Sequence, residues 1–203
     1  MSAKGVCLAP LHCGVSFLFP AERRKMNKKA RMLAEAGISI ALAVALSFLK
    51  IKPVAHGGSI DLVMIPLCVF ALKWGAGWGC LAGLVFGTIK LFLGGSAFNL
   101  VSFIFDYSVA YAAVGLAGLF GKKESTRVFG AFFGGFVRFI IHFISGFTVY
   151  AEWMPEEFLG MHMSNAFVYS ALYNGVYMIP NIIICCLVIA FLNKPFKRLY
   201  ESK

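Results

Sequence analysis

Charge is what this chain has least of. Only 14% of its 203 residues are Asp, Glu, Lys or Arg, against 60% apolar, and the runs between charges are long enough to span a bilayer, which excludes an ordinary soluble domain. These runs are continuously apolar and do not alternate, so a membrane β-barrel is excluded too. A G-x-x-x-x-G-K-[ST] loop is missing, so the chain does not bind ATP in the usual way and any such energy comes from partners. The sequence has no C-x-x-C pair, and its six cysteines (Cys7, Cys13, Cys68, Cys80, Cys185 and Cys186) avoid the predicted external loops. They are read as packing or lipid-facing residues, and the reading assigns neither metal nor cofactor. Nor is there a linker, a low-complexity tract or an internal repeat of the kind that builds paired-half transporters.

What is present is six apolar runs, roughly 30–49, 59–73, 75–93, 98–120, 128–149 and 166–192, each read as a membrane helix. The expectation is an all-α membrane protein, a six-helix bundle over residues 26–203. The second run is short and carries Pro66, which predicts a kinked or tilted helix. Residues 1–25 are read as an N-terminal extension, disordered or ahead of a functional start at Met26. A cleaved signal peptide there would leave the new N-terminus outside, against the charge pattern that follows.

The formal charge of +10 would suggest nucleic acid in a soluble protein, but its distribution gives a simpler account. Fifteen Lys/Arg fall before the first span, between spans two and three and four and five, and after the last; only Lys50, Lys52 and Lys90 fall on the other side, with Arg138 inside a span. Positive charge marks the cytoplasmic side, so both termini are expected there. The longest external connection, "YAEWMPEEFLGMHMSNA", has three Glu and no Lys or Arg.

Ionisable groups inside membrane spans are costly and point to function. Asp106 lies about eight residues into span four, His142 about eight residues before span five exits, and Tyr169, Tyr173 and Asn174 in the first third of span six. At 1.5 Å per residue these share one depth, about 5–12 Å below the external surface, on three helices. A carboxylate there balances a fixed positive charge, and the aromatic faces of Tyr107, Tyr150, Tyr169 and Tyr173 stack on a flat ring. His142 and Asn174 each donate and accept, as reading a ring's edge requires. His142 and Tyr150 are about 80° apart around an ideal helix and so can line one cavity. The plainer alternatives are an Asp106–Arg138 ion pair within the bundle, a packing histidine at His142, and an interfacial belt, to which Tyr177, Tyr200 and Trp153 are assigned. Arg138, a turn deeper than His142, is expected to be structural, holding the acidic residue or helix carbonyls.

Small residues recur at intervals of four. Gly75, Gly79, Gly83 and Gly87 form one stripe and Gly37, Ala41 and Ala45 another, and such stripes let helices approach closely, within the bundle or against another membrane subunit.

The segments "LAEAGISIALAVALS", "FDYSVAYAAVGLAGLFG", "RFIIHFISGFTVYAEWMPE" and "YSALYNGVYMIPN" resemble the thiamine-specific substrate-binding subunits (S components) of energy-coupling factor transporters, over about residues 30–195. The resemblance implies a bundle that captures thiamine from outside, bound to a transmembrane coupling subunit and two cytoplasmic ATPases. By resemblance the ligand contacts include Asp106, His142, Tyr150, Tyr169 and Asn174, and the coupling subunit meets the small-xxx-small contact at Ala41 and Ala45, on the same face as Gly37. Two departures stand out: "KIKPVAHGGSI" lacks a tryptophan that some members place over the ligand, and Tyr150 stands where Trp also occurs. External segments 52–59 and 150–165 are expected to cover the pocket.

Rival readings are an S component for another vitamin or a thiamine precursor, an intramembrane enzyme using His142, Asp106 or a Cys, and a structural membrane protein. An enzyme needs a nucleophile beside a base, and Ser145 and Ser170 are the best-placed hydroxyls. A structural protein has no use for a convergent polar layer.

Overall fold

The computed structural model describes residues 27–53, 58–93 and 104–193. Among them run six helices: α1 (Lys28–Leu46), α2 (Met64–Trp74), α3 (Ala76–Phe92), α4 (Ile104–Phe120), α5 (Arg127–Thr148) and α6 (Ala166–Asn193). Two antiparallel hairpins sit in the connections at one end, β1 (Lys50–Ile51) with β2 (Ile60–Asp61) between α1 and α2, and β3 (Glu157–Phe158) with β4 (Met161–His162) between α5 and α6. The second hairpin turns through Leu159 and Gly160, both at positive φ (52° and 74°), the two-residue geometry whose twist matches paired strands. The expected extension over 1–25, residues 98–103 of the fourth run, Tyr200 and the basic tail beyond Asn193 lie outside the described residues, as does the side chain of Trp153.

Each predicted run contains a helix, but the runs differ in reach. The segment Glu124–Thr148, which includes α5, and α6 are long and apolar enough to cross a membrane, with 25 and 28 residues. The 11 residues of α2 extend only about 16 Å, roughly half a hydrocarbon core. Its run was expected to start at 59, but Asp61 ends the hairpin and sets a later start. The Asp61 carboxylate accepts from the Val63 amide at 3.2 Å, while its own amide donates to Asn181 Oδ1 at 2.9 Å. Pro66 is the third residue of α2, where no intrahelical donor is required, so the expected proline kink has no cause there. The proline inside a helix is Pro180, in α6.

Glycine brings the helices together. A Cβ on Gly83 would overlap the Tyr111 carbonyl, and one on Gly87 the Tyr107 carbonyl. The stripe therefore serves contact within the bundle, α3 against α4, rather than a foreign subunit. Gly130, Gly134 and Gly135 do the same on the buried side of α5, whose opposite side exposes Phe129, Phe132 and Phe136. An apolar exterior around a small-residue interior is the pattern of a helix facing lipid. The core between the helices is built from Met64, Leu67, Phe86, Val114, Met178 and Ile189.

At the end away from the hairpins, Glu35 of α1 ties its own helix to the last turn of α2. Its carboxylate takes Lys73 Nζ at 2.7 Å, Trp74 Nε1 at 2.8 Å and Arg31 Nε at 3.0 Å, so Lys73, predicted to lie in a connection, is buried.

Gly87→Val is expected to destabilise by about 1–3 kcal/mol through overpacking against α4, whereas Gly77→Ala, with open space around its Cβ position, should leave stability unchanged. Thermal unfolding in detergent, followed by tryptophan fluorescence, measures the difference.

Candidate functional site

α4 opens with a π-helical turn, Ile104–Val109, which holds Asp106 and Tyr107. Such turns carry an extra residue, displace the side chains that follow, and concentrate at functional sites. This one is backed by Gly87 of α3, which lies directly against the Tyr107 carbonyl.

The two oxygens of Asp106 have separate partners. Oδ1 is 3.3 Å from His142 Nδ1, and Oδ2 accepts the Tyr150 hydroxyl at 3.0 Å. An ionised carboxylate only accepts, so His142 carries a proton on Nδ1, and in the neutral ring Nε2 is left as an acceptor. Nε2 is buried with no hydrogen-bond partner in the protein. Tyr150 reaches the carboxylate because α5 ends at Thr148 and Tyr150 follows outside the helix, at φ −102° and ψ 7°. An acid, an imidazole and a phenol from two elements therefore meet at one point, with Asp106 and His142 side chains only 15% and 11% exposed.

Asn174 of α6 joins them through the backbone. Its Nδ2 donates to Ser170 O at 2.9 Å and to the His142 carbonyl at 3.2 Å, and its Oδ1 accepts the Tyr177 hydroxyl at 2.6 Å. Both donors are thus engaged by main-chain carbonyls, and one oxygen lone pair is left. The approach of α5 to α6 here depends on Gly146, where a Cβ would overlap Ser170 Oγ; that hydroxyl donates to the Phe143 carbonyl at 2.8 Å. The two serines considered as nucleophiles have no base beside them: Ser170 is occupied in this way, and Ser145 Oγ has no partner.

Tyr169 and Tyr173 stand beside this cluster. Their rings are 5.5 Å apart, and Phe158 from the second hairpin packs edge-on to Tyr169 at 5.3 Å and tilted on Tyr173 at 5.9 Å. Tyr177 links the two groups, edge-on to Tyr173 at 6.2 Å and to His142 at 6.1 Å. It is buried, not part of an interfacial belt as expected, because its hydroxyl is spent on Asn174 and its ring lies against Gly58. Its spacing of three from Asn174 was the available signal. Phe158 had none beyond its place in the covering segment 150–165.

A second polar group lies deeper. Lys90 Nζ is 3.3 Å from Asp61 Oδ2 and 2.5 Å from the Tyr111 hydroxyl. Asp61 and Asn181 together fix the end of the first hairpin, since Asn181 Nδ2 also donates to the Ser59 carbonyl at 2.9 Å. Arg138 lays its guanidinium over the Tyr111 ring, 4.1 Å from the centroid. The expected Asp106–Arg138 pair is not formed, because Asp106 is taken by His142 and Tyr150. Nor does Arg138 hold helix carbonyls through Nε or Nη1, which have no partner.

On α1, Gly37, Ala41 and Ala45 are exposed, with Leu33, Ile38 and Leu42 around them. Gly37 has open space where a Cβ would stand, so this second stripe is available to something outside the bundle.

A family model described as thiamine transporter protein (Thia_YuaJ) matches residues 33–201. The thiamine transporter ThiT of Bacillus subtilis is 30% identical over 192 residues, covering 87% of this chain and 97% of that one. ThiT of Lacticaseibacillus paracasei is 27% identical over 196 residues, 88% of this chain and 94% of that one. The solved structure of ThiT from Listeria monocytogenes superposes with a TM-score of 0.75 at 23% identity, over 86% of this chain and 99% of that one, a likeness of fold.

The Asp106 carboxylate supplies the cluster's negative charge, and replacing it by an amide of the same shape isolates that charge. Asp106→Asn is expected to weaken binding of a monocationic ring by about tenfold to hundredfold, from a charge interaction of a few kcal/mol at short range, and Tyr150→Phe by less. Calorimetric titration of the detergent-purified variants with thiamine measures both.

Proposed function

The chain belongs to the family of thiamine transporter proteins whose model spans residues 33–201, and on that premise we propose that it is the substrate-binding membrane subunit of an energy-coupling factor transporter. It captures thiamine from outside and carries it inward with ATPase partners. The observation that carries this reading is the Asp106 carboxylate, held at 3.3 Å by His142 and 3.0 Å by Tyr150 beside the aromatic group of Tyr169, Tyr173 and Phe158. Thiamine joins a cationic thiazolium to a neutral aminopyrimidine. The cation is matched by one carboxylate, and flat rings by tyrosine faces.

Electrostatics sets the ligand's direction. Arg138 lies a turn below His142 and repels a cation, so the thiazolium belongs near Asp106 and Tyr150, and the neutral ring lies toward α5 and α6, where His142 and Asn174 stand. Tyr107, next to Asp106 on the π turn, borders the same space. Binding replaces the contacts that Asp106 makes with His142 and Tyr150 by contacts with the ligand, so the substrate-free site holds its charge without a counterion.

The chain spans the membrane six times, with both ends in the cytoplasm, in accord with the distribution of Lys and Arg. The short α2 is accommodated between longer neighbours, with the first hairpin completing the outer end of its path. Energy comes from two cytoplasmic ATPases through a transmembrane coupling subunit, which docks on the exposed stripe of Gly37, Ala41 and Ala45. The chain itself performs no covalent chemistry.

Purified from cells grown in rich medium, the protein should release thiamine on denaturation, identified by mass spectrometry, and release none when grown without thiamine. Release of a different vitamin or a thiamine precursor would replace thiamine as the substrate while keeping the site.

A further inference from the structure

The short arm from Gly58 to Asp61 enters the bundle beside α6 as non-helical chain, half-buried at first and buried at Asp61, and such a segment among membrane helices must find partners for its main-chain groups. One side chain supplies two of them. Asn181 of α6, itself 2% exposed, accepts the Asp61 amide on Oδ1 at 2.9 Å and donates from Nδ2 to the Ser59 carbonyl at 2.9 Å, so its amide pairs with the arm as a neighbouring strand would. Lys90 of α3 holds the Asp61 carboxylate, Nζ to Oδ2 at 3.3 Å, and the Ser59 hydroxyl donates to the same oxygen at 3.1 Å. The Asp61 end of the arm is therefore tied to two helices.

Its other end lies on the aromatic group. Gly58 sits so close to the Tyr177 ring that a Cβ there would overlap it, and the Gly58 amide donates a hydrogen bond to the Tyr173 hydroxyl. Tyr177 is in turn edge-on to Tyr173. Residues 173, 177 and 181 follow one another at intervals of four and stand in one row on α6, and the arm runs along that row. Asn181 lies about 12 Å along the axis from Tyr173 with its amide turned to the arm, so it acts on a solute at the tyrosines only through the arm.

We propose that Asn181 is a positioning residue for substrate binding: it fixes the Gly58–Asp61 arm, and the arm holds the Tyr173 ring at the angle that stacks on the ligand. This rests on the thiamine reading of the site and extends it to a residue outside the polar cluster. Ring contacts depend on offset and angle, and a side chain already held in its bound orientation loses less freedom when the ligand arrives. The same geometry accounts for non-helical chain ahead of α2. A helix there would present side chains to α6, where the Tyr177 ring leaves room only for a glycine.

A double-mutant cycle tests the route from Asn181 to the ring. Thiamine is titrated calorimetrically into detergent-purified wild type, Asn181→Ala, Tyr173→Leu and the double variant. Asn181→Ala is expected to weaken binding by about fivefold to fiftyfold, the span of couplings within one hydrogen-bond network, and to change it by less than about twofold once Tyr173 is replaced. Asn193→Ala, which removes another buried, hydrogen-bonded asparagine at the far end of α6, should bind as wild type does. An equal loss with and without Tyr173, an equal loss from Asn193→Ala, or no loss from Asn181→Ala overturns the proposal, because Asn181 then supports the fold alone. Should Asn181→Ala fail to fold, hydrogen exchange in the substrate-free wild type decides. The Gly58 and Asp61 amides are expected to be protected before thiamine is added, and exchange as fast as in an open loop until thiamine binds would equally overturn it. Failure of the wild type to bind thiamine at all would instead refute the functional reading.

Discussion

A carboxylate set among apolar helices must be met by donors or a cation, and the arrangement of this protein follows from how Asp106 is met. Left alone at that depth it would cost several kcal/mol. It is instead shared between His142, one turn and a half from the end of α5, and Tyr150, just beyond that end. Both partners come from one segment, so the carboxylate fixes how α4 and the close of α5 meet. The π turn that presents Asp106 is in turn held by Gly87, whose missing side chain lets α3 lie on the Tyr107 carbonyl. Charge, backbone irregularity and a glycine four positions from the next in its stripe are thus parts of one contact.

The rest of the polar interior is arranged around that point in two tiers. Asn174 braces α6 to the His142 carbonyl and is itself braced by Tyr177. Below, Lys90 and Asp61 neutralise each other while fastening the first hairpin to α3. The hairpin end of the bundle therefore combines fixed polar positions with aromatic rings contributed by a short hairpin, Phe158 against Tyr169 and Tyr173. Hydrogen-bonded polar groups beside aromatic rings from a small separate element suit capture of a small solute better than covalent chemistry, in keeping with relatives named as transporters.

Much of this was legible in the sequence because hydropathy reports depth. Counting residues from the ends of the apolar runs put Asp106, His142 and Asn174 at one level, and the structure joins the first two directly and the third through a backbone carbonyl. Hydropathy does not report azimuth. Tyr177 near the start of a span looks like an interfacial residue until the helix is turned and its hydroxyl meets Asn174. Arg138 looks like the natural counterion of Asp106, yet the carboxylate faces a different part of α5 and the guanidinium rests on Tyr111 instead. The glycine stripe of α3 was readable as a close contact but not as one with α4, since spacing identifies a face without naming what it meets. Run length misled at α2, where Asp61 is drawn into a hairpin by Lys90 and Asn181 and the helix begins three residues later.

The most direct test of the central contact is a high-resolution structure of the protein saturated with thiamine. Ligand density is expected about 3 Å from the Asp106 carboxylate and from His142 Nε2, with the Tyr150 hydroxyl moved from its substrate-free position. Ligand density away from α4 and α5, with the Asp106–His142–Tyr150 contacts intact, would contradict it.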